Sequence, residues 1–354
     1  MTQCNSIFIK NIYYMLSYSF QNLRKICDET VSCEDFENIQ DLFAVILYKG
    51  ILNQIKRGIY KEYIEEQEPL NCIRGKINFS ESINTASLVN KKVVCQFDEY
   101  SENTHLNKVL KSTLDLLITK SEIKLENKKL LKKVLIYFQQ VDLIDIKRIS
   151  WNRLSYHRNN ITYKMLINIC YLIINGLLIT EDNGTMKLNK YLDEQHFYRL
   201  YEKFILEFYK KHYPELKPNA SYIDWNIESN EGLEFLPNMQ SDITLQYNDK
   251  TLIIDAKFYA HTMQNQYDKK SIISGNLYQI YTYVKNKDKE HTGNVSGMLL
   301  YAKTNEDIVP NNEYIMDGNK ICVKTLDLNK DWKYIYKNLS IIANEFFFNH
   351  FEDP

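Results

Sequence analysis

Asp242, Asp255 and Lys257 are the side chains best suited to catalysis in this chain. They lie in the run Ser241-Asp242-Ile-Thr-Leu-Gln-Tyr-Asn-Asp-Lys-Thr-Leu-Ile-Ile-Asp255-Ala-Lys257-Phe-Tyr, which reads as a strand, a polar turn at Asn248-Asp249-Lys250 and a second strand. Side chains alternate along a strand, so Asp255 and Lys257 share one face and Ala256 takes the other. A hairpin can bring Asp242 alongside Asp255. Two carboxylates held together without a cation repel, and one takes up a proton. A hard divalent ion such as Mg²⁺, bound through oxygen, resolves that conflict. Asp242 and Asp255 are then expected as metal ligands, with the Ala256 carbonyl as a third. Lys257 would orient an attacking water or stabilise pentavalent charge. The chemistry expected is metal-assisted hydrolysis of a phosphodiester. An Asp-x-Lys on an exposed strand face is ordinary solvated surface. Here Leu252-Ile-Ile254 and Phe258-Tyr259 flank Asp255 and describe a buried strand, where unpaired charge is expensive.

Three further polar residues belong with this group. Gln279 and Tyr283, four apart in Asn276-Leu-Tyr-Gln279-Ile-Tyr-Thr-Tyr283, are neighbours on one helix face and could support the water or hold a DNA backbone. Glu202 stands in Leu200-Tyr-Glu-Lys-Phe-Ile205, polar within a mainly apolar helix, and could reach the metal from there. The bland readings are an amphipathic helix with Leu277, Ile280 and Val284 inward, and an exposed Glu beside Lys203. Other chemistries lack their signatures: the chain has no GxxxxGK[ST], GxSxG or HExxH, and its seven histidines show no ligand spacing.

The elements that must position these groups fill 354 residues, enough for two domains with real cores. A 44% hydrophobic and 25% charged composition is that of a soluble globular protein. The net charge of −1 leaves any attraction to nucleic acid to local patches. Seven widely spaced cysteines without a CxxC pair argue against zinc or a disulfide framework and for a reducing cytoplasm. The longest apolar stretch, Met165 to Ile179, is broken by Asn168, Asn175 and Gly176 and is too short to span a bilayer. No membrane association is expected.

Helical spacing marks residues 39–50, 106–117, 130–138 and 162–178. Alternation marks strands at Ile73, Gly75, Ile77 and Phe79 and at Val93, Cys95 and Phe97. The second half reads as a helix over Glu194–His212, strands near 221–228, 233–247 and 251–259, and a helix near Asn276–Lys285. A buried strand at Gly297–Ala302, a strand near 320–327 and a closing helix at 331–348 follow. The expected fold class is α/β and α+β: residues 1–190 form a mixed α+β domain with a helical section, and 191–354 a mixed sheet flanked by helices.

Asp242…Asp255-Ala-Lys257 followed by Gln279-x-x-x-Tyr283, on this order of elements, resembles the PD-(D/E)xK nuclease superfamily. The Gln-x-x-x-Tyr helix is similar to the branch of RecB-like nucleases, where a Glu on the first helix joins the site, the position matched by Glu202. The Pro expected before the first Asp is Ser241 here. Ile9-Lys-Asn-Ile-Tyr-Tyr-Met-Leu16, Ile73-Arg-Gly-Lys-Ile-Asn-Phe79, Phe97-Asp-Glu-Tyr-Ser-Glu-Asn-Thr104, Leu236-Pro-Asn-Met239, Ile254-Asp-Ala-Lys-Phe-Tyr259 and Asn276-Leu-Tyr-Gln279 resemble the McrC family. That resemblance implies the Mg²⁺-dependent endonuclease subunit of a restriction system that cuts double-stranded DNA carrying modified cytosine. It also implies a partner, an McrB-like hexameric AAA+ GTPase that binds GTP and reads DNA, with the N-terminal half of this chain as the docking and GTPase-stimulating module. The alternatives are a freestanding RecB-like nuclease and a non-catalytic adaptor of a ring GTPase.

Overall fold

The computed structural model describes residues 6–20, 23, 36, 38–157, 160–182, 185–192, 194–228, 231–258, 263–266, 269–303 and 310–348. The chain divides into two compact units, residues 44–171 and residues 1–43 together with 172–354. Helix α1 (Ser6–Ser19) belongs to the second of these. Its Phe8, Ile9, Ile12, Met15 and Leu16 are fully buried, and the Asn11 amide donates to the carbonyls of Leu328 and Lys330 at 2.8 Å each. These bonds carry the start of the chain to its far end in sequence.

The inserted unit contains most of α2 (Ile39–Arg57), β1 (Glu62–Leu70), β2 (Lys76–Ile77), α3 (Phe79–Asn84), β3 (Val93–Ser101), α4 (His105–Lys120), α5 (Leu125–Leu135) and most of α6 (Ile161–Gly176). Its sheet has the order β1-β3-β2, all antiparallel. The strand expected through Ile73 to Phe79 shrinks to two residues. Gly75 takes φ +68°, and a Cβ there would lie 2.3 Å from the Gln96 carbonyl. Asn78 then accepts a hydrogen bond from the Glu81 N–H, so Phe79 starts a helix instead of ending a strand. The long strand β1 was not expected, because Glu-Tyr-Ile-Glu-Glu-Gln-Glu-Pro-Leu offers too few apolar residues for alternation to show.

After the inserted unit, the other unit resumes with a hairpin, β4 (Leu177–Asp182) and β5 (Thr185–Leu192), and the helix α7 (Glu194–His212). Short strands β6 (Tyr222–Ile223) and β7 (Met239–Gln240) pair antiparallel, and β8 (Ile243–Tyr247) and β9 (Lys250–Phe258) form the central hairpin. The strand expected over 233–247 is thus a 3₁₀ turn followed by two short strands, β7 and β8. Gly232, at φ +73°, opens the turn at Leu233–Phe235 and so keeps the first residues out of the strand. A second hairpin, β10 (Met263–Gln266) and β11 (Lys269–Ile272), leads to α8 (Ser274–Lys287). Strands β12 (Val295–Lys303), β13 (Asn312–Met316) and β14 (Asn319–Asp327) and helix α9 (Trp332–Ala343) complete the chain, with a π-helical turn at Asn344–Phe348.

These strands build one mixed sheet in the order β13-β14-β12-β9-β8. The apolar run through Met298-Leu-Leu-Tyr-Ala302 occupies the middle strand and is covered on both faces. It runs parallel to β9 and β14, and the outer pairs are antiparallel. On one face Phe197 and Tyr201 of α7 pack against Phe258, with ring centroids 6.4 and 6.0 Å apart. On the other, Ile280 and Val284 of α8 bury against Ile253, Leu299, Ile321 and Val323. Even-numbered positions of β9 therefore face α7 and odd-numbered positions face α8, which places Asp255 and Lys257 beneath α8. Among the described residues no helix is long and apolar enough to cross a membrane.

Candidate active site

The β8–β9 hairpin turns on Asn248-Asp249, with Asn248 at φ +52°, a left-handed conformation that asparagine adopts readily. Register follows from that turn. Tyr247 pairs with Lys250 and Ile243 with Ile254, so the next rung sets Asp242 opposite Asp255. The Ala256 N–H donates to Asp242 Oδ2 at 2.9 Å, which ties the first carboxylate to the second strand. Asp255 is 1% exposed, and Lys257 Nζ lies 2.8 Å from its Oδ2. Lys257 also donates to Gln279 Oε1 at 3.2 Å, and Gln279 Nε2 donates to Tyr283 Oη at 2.9 Å. The expected group of Asp242, Asp255, Lys257, Gln279 and Tyr283 is assembled across two strands and one helix.

The ammonium of Lys257 pairs with Asp255 as an ion pair at that distance, outside hydrogen-bond geometry. Among the described residues neither Asp255 oxygen has a hydrogen-bond donor in line with it, although both are inaccessible to solvent. A buried carboxylate left in that condition is costly. Burial accordingly pushes the Asp255 carboxyl well above its usual range; the Lys257 charge opposes this and the neighbouring Asp242 adds to it. Asp242 is raised as well, by burial first, against the pull of the Ala256 N–H and Lys257.

Glu202 on α7 belongs to the same field. Burial, then repulsion from Asp242, lifts its carboxyl to about 8, with Lys257 pulling the other way and Asp255 adding to the rise. Three acids and one lysine thus share a small region with too little positive charge, the electrostatic condition of a functional cluster. No three His, Cys, Asp or Glu side chains among the described residues already close around a common point as a metal cage. The donors whose chemistry fits a hard cation are the carboxylates of Asp242 and Asp255 on the hairpin, where the single nearby ammonium, Lys257, leaves negative charge in excess.

A family model described as "McrBC 5-methylcytosine restriction system component" matches residues 7–302. The chain belongs to this McrBC family. It is 29% identical over 345 residues to the Escherichia coli (strain K12) protein described as "Type IV methyl-directed restriction enzyme EcoKMcrBC", covering 96% of this chain and 97% of that one. Among solved structures, it is similar to a Thermococcus gammatolerans half-complex of McrB AAA+ hexamers with bound McrC. That match has 15% identity and a TM-score of 0.48, and covers 93% of this chain and 75% of the other. A second structure, the Thermococcus gammatolerans McrBC complex, matches at 17% identity and TM-score 0.40 over 57% and 58% of the chains.

Around this group of side chains, two supports carry no periodic signal in the sequence. The Asn276 amide donates to Tyr301 Oη at 3.0 Å, both side chains buried, which anchors the first turn of α8 on the middle strand. Tyr301 stands beside Lys257 in the β12–β9 ladder. The bond therefore sets the height at which Gln279 meets the lysine. The second support, a set of hydroxyls around Ser241, lies at the start of β8.

Proposed function

We propose that this chain is the Mg²⁺-dependent endonuclease subunit of a McrBC-type restriction system, with a PD-(D/E)xK nuclease site at Asp242, Asp255 and Lys257. The observation that carries the reading is the placement of two carboxylates on facing rungs of one hairpin, with the buried Asp255 lacking aligned donors and a lysine beside it. Asp242 and Asp255 would hold the ion. When bound, it supplies charge neutralisation and Lewis acidity toward the phosphate oxygens and toward water.

The chain's own residues do the rest. Asp255 and Gln279 hold the Lys257 ammonium between strand and helix, so the lysine is oriented before substrate arrives. From there it directs the attacking water and stabilises the charge that grows on the phosphate as the P–O bond to the leaving group breaks. Tyr283 fixes the Gln279 amide by accepting from Nε2, leaving Oε1 toward the lysine. Glu202 adds a carboxyl that can take up or release a proton near neutral pH.

The family membership supports a partner as well. The chain shows no phosphate-cradling loop of its own, so GTP is assigned to an McrB-like AAA+ hexamer, and the N-terminal half is proposed as the docking and stimulating module. Double-stranded DNA with modified cytosine is the substrate assigned, and a cytoplasmic location follows from that role.

The test is cleavage of methylated and unmethylated DNA in Mg²⁺, with and without the partner and GTP. Cutting that needs all three supports the proposal. Cutting by this chain alone favours a freestanding nuclease, and stimulated GTP hydrolysis without any cutting favours an adaptor.

A further inference from the structure

Asp242 sits at a joint. Before it, β7 pairs with β6; after it, β8 pairs with β9. The segment Asn219–Ile223 lies across this joint. Asn219 and Thr244 exchange backbone hydrogen bonds at 3.1 and 2.7 Å, and the Ser241 N–H donates to the Ser221 carbonyl at 3.0 Å. Three hydroxyls fill the inside. Ser221 Oγ donates to Thr244 Oγ1 at 2.8 Å, Thr244 Oγ1 and Ser241 Oγ lie 2.8 Å apart, and Ser241 Oγ donates to the Ser221 carbonyl at 3.2 Å. The Ser221 N–H donates to Ser241 Oγ at 3.2 Å. With Thr244 donating to Ser241, every proton in this ring has one acceptor and the chain of bonds closes on itself.

Ser241 and Thr244 are 2% and 1% exposed, so these bonds operate away from water, where each strengthens the next. A proline at position 241 would have neither the N–H nor the hydroxyl and could not join the ring. The ring joins Asp242 through the backbone of Ser241, the residue before it. Their effect is to fix the exit angle of that residue.

We propose that Ser221, Ser241 and Thr244 are positioning residues that hold the Asp242 carboxylate in register for a divalent cation. This rests on the ion site proposed above. Groups that orient metal ligands through a second layer of hydrogen bonds change ion affinity about 10- to 100-fold when removed.

The experiment is calorimetric titration of the full chain with Mn²⁺ alone, beside thermal denaturation in chelator. Ser241→Ala and Thr244→Val are expected to weaken Mn²⁺ binding about tenfold. Thr244→Ser restores it, since the hydroxyl returns without the methyl. Ser221→Ala, at a half-buried position, serves as the variant least prone to misfolding and is expected to weaken binding in the same direction. Asp242→Asn tests the underlying site. If Asp242→Asn loses Mn²⁺ binding while the folded hydroxyl variants keep native affinity, the positioning role is overturned and the site stands. If Asp242→Asn binds Mn²⁺ as the native chain does, the site and the positioning role fall together.

Discussion

Asp242 faces Asp255 one rung beyond the Ile243–Ile254 pair, and its Oδ2 takes the N–H of the residue that follows Asp255. The Ala256 N–H thereby ties the Asp242 carboxylate to the stretch of β9 that carries Asp255. Their separation is a property of the hairpin register, which a one-residue slip would destroy by sending Asp255 to the opposite face.

Asp255→Asn separates chemistry from folding. The amide keeps the shape and removes a buried charge that has no aligned donor. Cleavage with the partner is expected to fall by at least about a thousandfold. Thermal stability in chelator is expected to rise, by about 1 kcal/mol, because a desolvated charge has gone. A cleavage assay and a melting curve check both halves, and undiminished cutting would remove Asp255 from the site.

Lys257→Met tests the ammonium. The stem survives and the charge is lost, so ion binding persists while turnover drops by about a hundredfold or more. Tyr283→Phe is expected to be milder, about five- to tenfold in kcat with KM unchanged, since it removes only the acceptor that steadies Gln279. Single-turnover kinetics of the two variants should rank them in that order.

Gly297 permits the approach of α8 to the sheet. A Cβ there would lie 2.8 Å from both Ile280 Cγ1 and Val284 Cγ2 and 2.9 Å from Ile321 Cδ1. Gly297→Ala is expected to cost about 1–3 kcal/mol by overpacking and to lower turnover, because the displaced helix carries Gln279. Urea denaturation beside the cleavage assay measures both. A neutral result in each would show that the helix does not bear on the lysine.

Asp288 follows α8 and ties down the next loop. Burial pushes its carboxyl upward, but the Asn319 amide, the Gly293 N–H and the hydroxyl and N–H of Thr292 outweigh this and hold it at about 2. A carboxyl depressed in the folded state stabilises the fold above its unfolded value near 3.8, and that contribution is lost as pH falls toward 2. The size is about 2 kcal/mol. The stability gap between native chain and Asp288→Ala, measured by denaturant melts, should therefore be wide at pH 7 and close as pH drops below about 4.

The grouping of the proposed site residues on β9 and α8 was legible because it is local. Asp255 and Lys257 are two apart on one strand, the Asn248-Asp249 turn sets the register, and Gln279 and Tyr283 share a helical face; each relation follows from backbone periodicity alone. Helices with a clear apolar stripe, such as Glu194–His212, were equally readable. What local spacing could not reveal was long-range pairing. Strand β1, rich in glutamate, is a strand because β3 offers it a full ladder, and its own residues scarcely announce it. The first helix clusters with the far end of the chain through Asn11 and the carbonyls of Leu328 and Lys330. The orphaned oxygens of Asp255, the anchoring of Asn276 on Tyr301 and the hydroxyl ring around Ser241 depend on which side chains are buried together, and burial is decided only when separate segments pack.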